Sequence, residues 1–62
     1  MSKTIEQYEI GQRFEYNNDV YELVCVGNLY HFDNLNNTRV MGRHEAEVNG
    51  WLESGELKPI NN

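Results

Sequence analysis

The sequence predicts a mainly β domain, an antiparallel meander of four to five short strands with one short C-terminal helix. Three observations carry this expectation. Apolar and polar residues alternate at period two through much of residues 12–42, the spacing of half-buried strands. Clusters of Asn, Asp and Gly break that alternation at short, even intervals. Near residue 44 the apolar spacing changes to the helical period.

The first strand is "RFEY", with Phe14 and Tyr16 on one face and Arg13 and Glu15 on the other. Asn17-Asn18-Asp19 supplies the turn, because Asn tolerates left-handed backbone and bonds its own main chain. "VYELVCV" is the second strand. Tyr21, Leu23 and Cys25 share one side, and Val20, Val24 and Val26 flank Glu22 on the other. A strand apolar on both faces is central, or carries a bulge that exchanges its inward set.

Gly27-Asn28 reads as the next tight turn. "LYHFDN" follows as the third strand, in which Phe32 is expected to face inward and Tyr30 outward. "LNNT" leads into a fourth strand, "TRVM", ended by Gly42.

Val48, Trp51 and Leu52 then fall at i, i+3 and i+4, one face of a helix over residues 44–54. Glu45 and Glu47 occupy its first turn, where the helix dipole favours acids, and Gly55 is placed to end it. The competing reading is a hairpin through Asn49-Gly50; the apolar spacing favours the helix. Residues 56–60 read as a closing extended segment, with Pro59 restricted to a sheet edge. The whole, residues 1–62, is a single domain, with polar residues 1–8 expected to fray.

Composition bounds function. A domain of 62 residues has little interior to spare for a deep cavity, so its working part is expected on the surface. Five Lys and Arg stand against ten Asp and Glu, a formal charge of −5. That balance argues against binding a phosphate backbone, which needs cations to displace counterions, and suits a basic partner. The single cysteine cannot form an internal disulfide. No apolar leader or membrane-length apolar window is present, and the chain reads as cytoplasmic.

Catalytic and metal chemistry find no support. "HEAEV" begins like a zinc-peptidase signature, but Val48 stands where the second His is required. Cys25, His31, Asp33 and His44 match no common zinc spacing. Cys25, within an apolar run, is expected to be a packed and inert thiol. No metal, cofactor or catalytic residue is therefore assigned, and the chain is read as a non-enzyme.

Among the aromatics, Phe14, Tyr21, Phe32 and Trp51 are assigned to the core, since a short chain must bury its large rings. Tyr16 and Tyr30 are assigned to a contact surface, because Tyr offers apolar area with a polar tip. Glu22 and Asp33 rim that surface.

The opening "IGQRFEY", the strand "VYELVCV" and the closing "VNGWLESGELKPI" together resemble the small SH3-like β-barrel or roll domains often encoded by bacteriophages as stand-alone accessory proteins. The resemblance spans roughly residues 10–60, with Asn18-Asp19 standing where the first turn usually holds Gly. It implies a non-catalytic binding module that attaches to a host enzyme or a virion component, acting in the host cytoplasm. As a protein-interaction module the chain would modulate or inhibit a host protein with a basic surface. The alternatives are a self-associating structural piece, pairing through an open strand edge, and a single-stranded nucleic-acid binder with sheet aromatics as stacking platforms. The last requires Arg13, Arg39 and Arg43 to converge beside those rings.

Overall fold

The structure, a computed structural model, describes residues 3–60. Five antiparallel strands form one sheet: β1 (Arg13–Tyr16), β2 (Asp19–Val26), β3 (Tyr30–Asn34), β4 (Val40–Arg43) and β5 (Leu57–Ile60). Their order across the sheet is β4-β3-β2-β1-β5. One helix, α1 (Glu45–Ser54), carries the chain from one edge strand to the other. The mainly β reading and the helix therefore hold, and the Asn49-Gly50 hairpin does not form. The sheet is open rather than closed into a barrel, because β4 and β5 are its two separate edges.

Local chemistry accounts for the joints. Asn17 and Asn18 both take positive φ, 53° and 70°, as a two-residue hairpin turn between Tyr16 and Asp19 requires. Gly55 ends α1 at φ 87° and gives its N–H to the Trp51 carbonyl, a conformation that a Cβ would disfavour. At the end of β3 the Asn34 side chain is buried and both its polar atoms are hydrogen-bonded. Its Nδ2 donates to Asp19 Oδ2 at 3.0 Å and its Oδ1 accepts the Asn36 N–H at 2.8 Å.

The core lies between one face of the sheet and the helix, and Ile5, Phe14, Leu23, Phe32, Val48 and Leu57 fill it. Phe14 and Phe32 meet edge to face, with ring centroids 5.8 Å apart. Burying each such side chain contributes about 1.5–3 kcal/mol, and a domain of this size has few others. Tyr21 and Trp51 are half-buried against this cluster rather than enclosed by it.

Two segments are arranged differently from the pattern reading. The first element begins at Ile5, inside the stretch expected to fray. Ile5–Gln7 form a short 3-10 turn with Ile5 fully buried, whereas residues 1–2 lie outside the described range. The turn is tied down by Asn49, whose Oδ1 accepts the Ile5 N–H at 2.7 Å across the helix interface. Cys25 is also not in the core. The register of β2 against β3 shifts between Leu23 and Cys25, so Val24 is the extra residue of a bulge. Beyond a bulge the inward and outward sets exchange. Cys25 therefore stands exposed on the outer face, opposite His31.

Candidate interaction surface

Directly opposed residues on antiparallel strands share a face, so the register sorts every strand residue. On the helix side lie Phe14, Tyr16, Tyr21, Leu23, Tyr30, Phe32, Asn34 and Leu57. On the outer side one row crosses all five strands, Ile60-Arg13-Glu22-Asp33-Val40.

The four residues assigned from sequence to one contact surface are thereby divided. Glu22 and Asp33 are outside, opposite one another. Tyr16 and Tyr30 are on the helix side, both half-buried against the core. Tyr30 shares its face with Phe32, two residues on, which corrects the expectation that the two point opposite ways.

Each tyrosine has structural partners. Tyr16 stacks on Trp51, with centroids 4.5 Å apart and planes at 30°, and meets Tyr21 edge-on. Burial pushes the Tyr30 hydroxyl above the ordinary tyrosine range. The Glu45 and Glu6 carboxylates push the same way, Glu45 also by accepting the hydroxyl's hydrogen bond.

The outer face exposes two aliphatic side chains near the acid pair. Val40 is 63% exposed and Leu35 43% exposed. Val40 sits beside Asp33. Leu35 donates its N–H to the Val20 carbonyl, extending the β2–β3 pairing by one residue, which turns its side chain outward after the inward Asn34. Two exposed aliphatic side chains thus flank two opposed carboxylates, with Arg13 across from Glu22. Directly opposed like charges destabilise a sheet, so the Glu22–Asp33 pairing costs stability in a domain with little of it.

The arginines do not converge. Arg13 is on the outer face, whereas Arg43 lies 6.0 Å from the Trp51 ring centroid on the helix side. Arg39 sits in the loop before β4. The sheet aromatics face the helix, so the outer face presents no stacking platform among the described residues. The clefts are shallow and open; one, about 410 Å³, lies between the β3–β4 loop and Val40. Among the described residues no three His, Cys, Asp or Glu side chains gather as a metal site, and no helix is long and apolar enough to cross a membrane.

Sequence reasoning missed Val40, Leu35 and Arg13 as neighbours of the acid pair. Their adjacency depends on register across loops of unequal length, which alternation alone does not fix. Comparison with protein-family models, with curated proteins and with solved structures finds no match.

Proposed function

We propose that the protein is a non-catalytic binding module that docks the outer face of its sheet against another protein. The observation that carries this reading is the Glu22–Asp33 pair flanked by exposed Val40 and Leu35. A partner that brings Lys or Arg over the carboxylates and an apolar side chain against Val40 would relieve the repulsion and cover the aliphatic carbons. Such a partner has a basic, partly apolar surface, and masking that surface would modulate or inhibit its owner.

The SH3-like likeness belongs to this proposal. Its support is the strand order, a meander followed by a last strand beside the first. A second support is the curl that brings Tyr16, at the end of β1, and Arg43, at the end of β4, to the same Trp51 ring. A phage-type accessory role is proposed on that likeness alone.

The test is affinity capture from the native host with wild-type protein and a Glu22→Lys, Asp33→Lys double variant, followed by mass spectrometry. A protein retained by the wild type and by Tyr30→Phe, but lost from the double variant, supports the reading. Equal retention by all three overturns it.

A further inference from the structure

The two edges of the sheet differ in a way that goes beyond the outer-face reading. In an antiparallel ladder, alternate residues of an edge strand aim their N–H and C=O at the neighbour and away from it. At the β5 edge the alternation follows from β1: Leu23 of β2 gives its N–H to the Gln12 carbonyl, so Gln12, Phe14 and Tyr16 face β2, and Arg13 and Glu15 face β5. Pro59, opposite Phe14, is therefore turned to the open side, where it has no N–H to offer. That edge is blunted against further pairing.

The β4 edge has no such block. Asn34 gives its N–H to the Arg39 carbonyl, so Arg39, Met41 and Arg43 are the residues bonded toward β3. Val40 and Gly42 then direct their N–H and C=O groups outward. Among the described residues one of these four groups is occupied: Nη1 of Arg43 donates to the Gly42 carbonyl at 2.8 Å. The adjoining cleft, lined by Leu35, Arg39 and Val40, leaves room for an incoming side chain.

Charge selects the occupant. Arg39 and Arg43 bracket the free stretch, and their side chains share a face of the strand because they are four residues apart. In a second copy paired two-fold about Met41, the register that uses all the free groups, Arg39 would oppose Arg43 twice. Like charges directly opposed are unfavourable. Arg39 is exposed and in no ion pair among the described residues. Arg43 has only an exposed contact with Glu47 at 3.9 Å, of a kind that contributes little.

We propose that the β4 edge accepts an extended segment of another protein, antiparallel to β4, with acidic side chains at two positions four residues apart. Those acids stand opposite Arg43 and Arg39. The residue opposite Val40 is apolar, and the one opposite Gly42 lies beside the His31 ring, already 3.2 Å from where a Cβ on Gly42 would be. On docking, the Arg43 guanidinium leaves the Gly42 carbonyl to the incoming N–H and turns to the partner's carboxylate.

The test uses a blocked seven-residue peptide, Ser-Glu-Thr-Val-Val-Glu-Ser, and a control with both Glu replaced by Lys, titrated into isotopically labelled protein and followed by NMR. The Val40 and Gly42 amides are expected to shift, and the control to bind at least about tenfold more weakly, as two opposite-charge cross-strand pairs become like-charged. Val40→Pro removes an outward N–H and should abolish binding. Arg39→Glu, Arg43→Glu leaves the backbone groups in place and should reverse the preference between the two peptides. Equal binding of both peptides, shifts confined to other residues, or an unaltered preference in the double variant overturns the proposal. So does self-association of the chain through this edge, seen by sedimentation and removed by Val40→Pro.

Discussion

Glu22 and Asp33 stand directly opposite one another on β2 and β3, two carboxylates on the solvent face of a sheet that has little stability to give away. Replacing Glu22 by Thr, which suits a strand, should raise stability by about 0.2–1 kcal/mol. In a domain this small that raises the melting temperature by a few degrees. Added salt should narrow the difference between the two proteins, because it screens the repulsion in the wild type. Thermal denaturation at low and high ionic strength reads both effects. An unchanged or lowered midpoint for Glu22→Thr would show that Arg13 already neutralises the pair.

Truncations of the rings should rank by enclosure. Phe14→Ala, in the fully buried set, should cost about 3–5 kcal/mol and leave the chain largely unfolded. Trp51→Ala removes a half-buried ring and its stack on Tyr16 and should cost less. Tyr30→Ala should cost least of the three, yet measurably, since its ring packs on the core. Chemical denaturation of the three variants checks the order.

Asn49→Ala should act far from its own position in sequence. It removes the acceptor for the Ile5 N–H, and a part-buried donor without a partner costs about 1–3 kcal/mol. A better helix former at residue 49 offsets some of this within α1. The specific readout is hydrogen exchange, in which the Ile5 amide should lose protection while the amides of β2 and β3 keep theirs relative to global unfolding.

Tyr30 gives an alkaline signature. Its folded-state pKa is raised, chiefly by burial and then by Glu45 and Glu6, so the fold favours the neutral hydroxyl. The associated stability is fully present below the ordinary tyrosine pKa of about 10 and is lost as pH rises through the folded value. Ultraviolet titration of the wild type against Tyr30→Phe should isolate the Tyr30 ionisation and place it above the ordinary tyrosine range. Glu45→Gln should bring it down only part of the way, because burial is the larger cause.

Strand and helix assignments were legible wherever the pattern was local. "RFEY", "LYHFDN" and the Val48-Trp51-Leu52 spacing each contain their period within a few residues, and Gly55 and Asn17-Asn18 mark their own turns. What was not legible depended on pairing between distant segments. The bulge at Val24 moved Cys25 from the core to the surface, and no local feature of "ELVCV" sets where a register shift falls. Ile5 looked like part of a polar tail because its binding site, Asn49 and the inner side of α1, lies forty-four residues away. Of the four residues grouped from sequence, Glu22 and Asp33 share the outer face and Tyr16 and Tyr30 lie on the helix side, because half-exposed rings at a core margin and rings on an open face have the same composition.

The pairing of Arg13 with Ile60 makes the order of synthesis matter. β1 can zip onto β2 within a few residues of emerging from the ribosome, but its other side stays bare until residues 57–60 are made. During that interval a nascent strand carrying Phe14 and Tyr16 offers unpaired backbone groups to neighbouring chains, which is a route to misassembly that β5 closes.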